Sequence, residues 1–388
     1  MITFDEDTVK IPAILSDEQL SPAVLKVVGV GGGGCNAINR MIQAGIKGVE
    51  FIAVNTDAQS LSRCLAPRHI QLLTPDSRGK ALGAGGNPIR GREAALDKTD
   101  DLIESLSGAD MVFIAAGLGG GTGTGAAPVI GTIAKEQGAL TVAVVNTPFS
   151  FEGTERMRIA QEGLKELEPC VDTLIVVPNS RLEEIAPADI TWTDALFMAD
   201  TALHHGVQGI AEIINQAGTI NRDFADVKAV LQGGGIALMG IGLASGEHRA
   251  LEAAQNAVAS PLLDGIAMQG AQRVLVNIIA GPDAKLGEIK EAGHWIQEQC
   301  APTCNFFFGY VLREDFADKL QVTLIATGAS QTRKEQPAGA SRPAATQTTK
   351  AEVSVLNPFL PKGNAPNFGV EIRVDDFHLP TVLRKQLD

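Results

Sequence analysis

The sequence predicts an α/β protein: a domain built on a parallel sheet, a long linking helix, a smaller α+β domain and a disordered tail. Three observations carry that reading. Between residues 24 and 179, strand-like and helix-like stretches alternate. From 194 to 217 a single helical periodicity runs unbroken. After Gly328 the composition changes abruptly.

The first strand-like runs are 24–30, 49–54, 111–116, 140–146 and 173–178. Each is short and largely apolar, which suits strands buried on both faces. Helical stretches lie between them, among them 36–44, 92–106, 126–137 and 155–167. Strands separated by helices form crossovers, hence a Rossmann-like parallel sheet whose ligands sit at the carboxyl ends of its strands. In the stretch 194–217, Leu196, Leu203, Val207, Ile210 and Ile214 recur at helical spacing. A second alternation follows: strand 236–243, helix 247–259, strand 274–279, helix 286–299, then strands 305–311 and 320–326. Two consecutive strands at its end indicate a mixed, α+β unit. Pro337, Pro343, Pro358, Pro361 and Pro366 then stand among Ala, Thr, Gln, Lys and Asn, the composition of a disordered linker. The expected division is a flexible extension (1–22), a nucleotide domain (23–192), the helix (193–220), a second domain (221–328), the linker (329–372) and a terminal peptide (373–388).

Composition narrows the function. A net charge of −13 opposes a broad nucleic-acid-binding surface. Cys35, Cys64, Cys170, Cys300 and Cys304 are scattered, and Cys300-x3-Cys304 has no second pair at zinc spacing. They read as buried thiols of a reducing compartment. Asp5, Glu6, Asp7, Asp17 and Glu18 are incompatible with a secretory leader, and no apolar run approaches the ~18 residues of a membrane span. A cytoplasmic protein without membrane insertion is expected.

Residues 119–125 read Gly-Gly-Gly-Thr-Gly-Thr-Gly, directly after a strand and before a helix. Each ordered glycine costs roughly 0.5–1 kcal/mol relative to alanine. Such a segment suits bare backbone N–H groups held against a phosphate. No lysine follows, so this is not a P-loop. A second run, Gly29-Val-Gly31-Gly-Gly-Gly34-Cys35-Asn36, contains a literal Gly-x-Gly-x-x-Gly. Alone it points to a dinucleotide oxidoreductase, with Glu50 or Asp57 as the ribose acid. That reading leaves the longer glycine loop without a role, whereas a nucleotide clamped from two sides uses both. A third loop, Leu82-Gly-Ala-Gly-Gly-Asn-Pro88, could close over a terminal phosphate.

These loops, together with Val54-Asn-Thr-Asp57, Phe149-Ser-Phe-Glu152-Gly and Asn221-Arg-Asp-Phe-Ala-Asp226, resemble the tubulin/FtsZ family in order and spacing. The resemblance runs from about residue 24 to 328. It resumes at a terminal Leu-Pro-x-x-Leu-Arg-Lys, which favours the FtsZ branch, the cytoskeletal GTPases of bacterial division, over tubulins. The resemblance implies a tubulin/FtsZ-like fold that binds GTP or GDP with Mg²⁺. The ion would be held mainly by phosphates and water, with no dedicated metal-ligating side chains. Gly32, Gly33, Gly34, Cys35 and Asn36 would line the phosphates, with Gly121, Thr122 and Gly123 around the α- and β-phosphates. Asn55 and Asp57 would lie near phosphate and magnesium. Gly85, Gly86 and Asn87 would sense the γ-phosphate, Glu152 and Arg156 would contact ribose, and Asn179 and Asp200 would bind guanine.

From spacing alone, Asp57 also fits a helix N-cap and Glu152/Arg156 a solvated i, i+4 pair. Asn221, Asp223 and Asp226 are the implied catalytic group, inserted into the site of a neighbouring subunit to orient water. Their bland reading is helix initiation. Head-to-tail homopolymers at the division site, on the inner face of the membrane, are implied. So is docking of the terminal peptide to membrane-tethering and regulatory division proteins, through Phe377, Leu379, Leu383 and Arg384. One departure concerns the base pocket. Where relatives often carry an aromatic residue, this chain has Leu196 with Phe197 next to it, so either could face guanine.

Overall fold

The computed structural model describes residues 23–74, 81–187, 189–215, 224–263 and 268–328. The first half contains β1 (Leu25–Val30), α1 (Gly31–Gln43), β2 (Val49–Asn55), α2 (Ala58–Ser62), β3 (Arg68–Gln71), α3 (Pro88–Leu96) and α4 (Thr99–Leu106). It continues with β4 (Met111–Gly117), α5 (Thr122–Glu136), β5 (Leu140–Thr147), α6 (Thr154–Leu167), β6 (Thr173–Pro178) and α7 (Asn179–Ile185). The long helix is α8 (Trp192–Asn215), followed by α9 (Phe224–Leu231). The second half holds β7 (Gly235–Ser245), α10 (Arg249–Val258), β8 (Arg273–Ala280), α11 (Leu286–Gln299), β9 (Asn305–Leu312) and β10 (Lys319–Thr327).

Among the described residues ten strands join one sheet, in the order β3-β2-β1-β4-β5-β6-β7-β10-β8-β9. The strands from β3 to β6 are parallel. Three parallel pairs, Thr173 with Gly235, Leu174 with Ile236 and Ile175 with Ala237, continue the sheet into the second half. There β10 lies antiparallel to both β7 and β8. The alternation of strand side chains fills two cores: Leu25 and Val27 face one, Val28 and Val30 the other. A third core lies under the second half. Buried residues of α8, from Met198 to Ile213, pack in the first core against β5, β6, β7, β8 and β10. The helix therefore staples the two halves along one face. At its far end, the Asn215 side-chain amide donates to the Gly48 carbonyl at 2.7 Å, just before the amino end of β2.

The structure departs from expectation in instructive places. β3 is a short edge strand, Arg-His-Ile-Gln, without an apolar run to reveal it. The helical stretch 92–106 is two helices, with the Thr99 hydroxyl taking the Leu96 carbonyl at 2.6 Å where they part. Both glycine runs are helix starts as much as loops, since α1 begins at Gly31 and α5 at Thr122. Close packing explains part of their glycine content. A Cβ on Gly125 would fall 1.9 Å from the Pro88 carbonyl oxygen, and one on Gly34 would fall 2.4 Å from that of Ala115. Among the described residues no helix is long and apolar enough to cross a membrane.

Candidate nucleotide site

A cavity of about 310 Å³ opens at the carboxyl ends of the central strands. One wall is the first two turns of α1, with Gly32, Gly33 and Asn36; the second runs from Gly117 to Gly123, across the end of β4 into α5. Neither helix start has a side-chain cap or a first-turn acid. The orphan N–H groups of two helix termini therefore point their partial positive charge into one space, which favours an anion. The Thr56 and Thr122 hydroxyls share a 2.6 Å hydrogen bond beside this wall, and the Gly119 N–H donates to the Thr124 hydroxyl at 2.9 Å.

The opposite end of the cavity has another character. Asn146, Asn179, Leu196, Ala199 and Asp200 line it. Burial pushes the Asp200 carboxyl up to about 7, and Arg40 only partly offsets that. The Asn146 amide donates to the Ala199 carbonyl at 3.3 Å, while its own Oδ1 and that of Asn179 are buried without a partner. Unpartnered acceptors beside a desolvated carboxyl make a surface that wants N–H donors. Leu196 supplies an apolar plane there and is 41% exposed. Phe197 turns away and lies under the Arg40 guanidinium, 3.8 Å from ring centroid to carbon. Between the two ends, Glu152 and Arg156 form an ion pair at the rim. Glu152 also accepts from the Phe149 N–H at 2.9 Å.

Of the residues the sequence singled out, Gly32, Gly33, Asn36, Gly121, Thr122, Gly123, Glu152, Arg156, Asn179 and Asp200 meet in this cavity. Others stand behind its walls. Cys35 is buried, with the Asn55 amide 3.8 Å from its sulfur, and Gly34 packs on β4. Asp57 caps α2 through the Gln59 N–H (3.1 Å), and Asn87 caps α3 through the Ile89 N–H (2.9 Å). The loop carrying Gly85 and Gly86 leans on the glycine wall: a Cβ on Gly121 would come within 2.7 Å of the Ala84 Cβ. The two ribose acids of a dinucleotide reading are occupied elsewhere, since Glu50 pairs with Lys26 at 3.5 Å and Asp57 is a cap. Asn146, Thr147 and Pro148 escaped sequence reading, although their place at the end of β5 marks them by the strand-end rule.

Asp226 lies in the first turn of α9, and Asn221 and Asp223 fall outside the described residues. α9 belongs to the other end of the sheet. The Thr173 hydroxyl, at the amino end of β6, donates to the carbonyl of its last residue, Leu231. From Asp200 to Asn215, α8 covers about 22 Å along its axis in the same direction.

Two family profiles match this chain: "Tubulin/FtsZ family, GTPase domain" over residues 24–187, and "FtsZ family, C-terminal domain" over 235–330. An FtsZ dimer of M. jannaschii is 40% identical, with a TM-score of 0.77, and the match covers 87% of this chain and 100% of that one. The chain belongs to the FtsZ family. A tryptophan-to-tyrosine mutant of M. jannaschii FtsZ matches at 43% identity and TM-score 0.76, over 80% of this chain and 93% of that one. The GTPγS-bound protofilament of CetZ2 from Haloferax volcanii shares the fold at 20% identity and TM-score 0.64, over 79% of this chain and 94% of that one. The FtsZ-family GTPase domain thus coincides with the half that holds the cavity.

Proposed function

We propose that the cavity binds GTP and that hydrolysis completes only when a second copy brings Asp226, with Asn221 and Asp223, against the γ-phosphate. The observation that carries this reading is separation. The cavity lies at the carboxyl ends of the strands, and α9 is anchored at the amino end of β6. Two complementary half-sites at opposite ends make a heterologous contact, which repeats into filaments instead of closing. We also propose, on the resemblance of the sequence alone, that such filaments build the bacterial division ring and that the terminal peptide docks to tethering proteins. The peptide lies outside the described residues.

The amides of α1 and α5 would hold the phosphates. Asp200 would accept from guanine N1–H and the 2-amino group, Asn179 would add a further acceptor, and the Glu152–Arg156 pair would meet the ribose. Such a site fits guanine and disfavours adenine, which lacks the paired donors. Among the described residues no group of three or more His, Cys, Asp or Glu is placed to hold a metal. Magnesium would be held by the phosphates and water, and would supply neutralising charge between phosphate and carboxylate. The protein's own task is to position a water and to exclude bulk solvent.

The test is GTP turnover and right-angle light scattering on one sample across a concentration series. Turnover per subunit is expected to rise above a threshold that coincides with scattering. A flat dependence would mean that each monomer holds a complete site. Leu196 offers a second check, because it presents an aliphatic plane to the base. Leu196→Phe should tighten GDP binding about 2- to 10-fold, through ring stacking of roughly 0.5–1.5 kcal/mol. Unchanged binding in equilibrium titration would remove Leu196 from contact with the base.

A further inference from the structure

Cys35 and Cys64 are distant in sequence and adjacent in space. Cys35 lies on α1 between Gly34 and Asn36, and Cys64 lies in the turn between α2 and β3. Both are buried in the same core, at 1% and 7% exposure. The Cys64 thiol points at α1 and donates to the Cys35 carbonyl at 3.7 Å. The Cys35 thiol in turn hydrogen-bonds toward the Cys64 sulfur.

Asn39, one helical turn beyond Cys35, fixes this approach. Its side-chain oxygen accepts from the Leu65 N–H at 2.6 Å, and its amide donates to the Arg63 carbonyl at 3.4 Å. The residues on either side of Cys64 are thus clasped to the face of α1 that carries Cys35. The hydrogen bond from Cys35 draws the Cys64 thiol below its ordinary range. The same contact, together with burial, holds Cys35 above its own. The thiolate is the reactive form, so Cys64 is the sulfur that reacts first and Cys35 the one that resolves. Arg63 and Leu65 are exposed, Leu65 at 51%. A small oxidant therefore needs only a local opening of this surface turn to reach Cys64.

We propose that Cys35 and Cys64 form a reversible disulfide when the protein meets a peroxide, and that the bond weakens nucleotide binding at the adjoining wall. The Cys64 thiolate attacks one peroxide oxygen: an S–O bond forms, the O–O bond breaks, and the other oxygen leaves as water after protonation. Cys35 then attacks the Cys64 sulfenic acid: the S–S bond forms, the S–O bond breaks, and a second water leaves with the Cys35 proton. Two thiols give up two electrons, and one peroxide becomes two waters. A thiol reductant reverses the bond by exchange.

The consequence for binding follows from packing. An S–S bond of about 2.05 Å replaces a non-bonded contact, so the sulfurs must draw together. α1 has little slack against β4, since a Cβ on Gly33 would lie 3.3 Å from the Gly117 nitrogen. Gly33 and Asn36, which flank Gly34-Cys35, line the cavity. Strain at Cys35 is thus delivered to the turn whose amides face the phosphates. Formation of the bond is independent of the proposed GTP reading; its effect on affinity rests on that reading.

The test uses the full-length protein, treated with hydrogen peroxide, alkylated and digested without reductant. Peptide mapping should recover a Cys35–Cys64 link that thiol reductant removes. Equilibrium titration should show GDP affinity falling about tenfold on oxidation and returning on reduction. By linkage, saturating GDP should favour the reduced pair by the same tenfold, raising its midpoint potential in a glutathione buffer by about 30 mV. Cys64→Ser should bind GDP like the parent and keep that affinity through peroxide treatment. Free Cys35 and Cys64 after peroxide overturn the proposal, as does a link confined to Cys300–Cys304. A Cys35–Cys64 link with unchanged affinity, or a loss of affinity that persists in Cys64→Ser, overturns the coupling. If the reduced parent fails to bind GDP, the nucleotide reading fails, and the peptide map still decides the disulfide.

Discussion

Asp226→Ala is expected to retain GTP and GDP binding and to lose turnover by about 10²- to 10³-fold, the usual scale for removing a group that positions or activates the attacking molecule. The residue lies outside the cavity, in the first turn of α9. Its removal therefore leaves the lining of the subunit's own cavity in place. The helix-dipole interaction lost with a first-turn acid is about 0.3–1 kcal/mol. Phosphate release at saturating GTP and equilibrium binding of labelled GDP separate the two effects. A mixing experiment is sharper. Asp226→Ala supplies an intact cavity, and a copy unable to bind nucleotide supplies an intact α9. Their mixture should recover turnover that neither shows alone. Parental turnover in Asp226→Ala, or no recovery on mixing, would defeat the shared site.

Asp200→Asn is expected to weaken GTP binding by about 100-fold or more, because guanine's two adjacent donors would then face one acceptor and one donor. Xanthine nucleotides, which present a carbonyl where guanine has its amino group, should gain affinity in the same variant. The parental protein should also show a pH signature. Burial raises the Asp200 carboxyl to about 7. Below that pH it carries a proton that must leave before the carboxylate can accept from guanine. Affinity should therefore fall as pH falls through 7, approaching tenfold per unit well below it, and level off above. Asp200→Asn should abolish that slope, and an unaltered slope would assign the proton to another group. Stability of the empty protein has the opposite sign. An unfolded aspartate titrates near 3.9. From there to about 7 the fold holds the extra proton, so this site's contribution to stability declines as pH rises.

Much of this was legible in the sequence, for identifiable reasons. The central strands are continuous apolar runs, and α8 carries a long periodicity, so tertiary context reinforced what local pattern implied. β3 was hidden because a short half-exposed edge strand can be polar. The glycine runs suggested ligand contact alone. Several of those glycines also admit a neighbouring backbone, a constraint with no signature along the chain. The choice between Leu196 and Phe197 depended on helix rotation, which packs Met198, Ala199 and Ala202 into the core and leaves the Phe197 ring under Arg40. Asp57 and Asn87 show the reverse case. The plain helix-capping chemistry of their residue types is what the structure displays.

The unbroken sheet has a mechanical consequence. The cavity and α9 lie at opposite ends of parallel strands within it. In a filament joined at those two ends, tension runs lengthwise through the strands. Covalent backbone takes the pull, and the inter-strand ladders are sheared together instead of being peeled one bond at a time. Such a subunit resists stretching far better than it resists bending across the sheet.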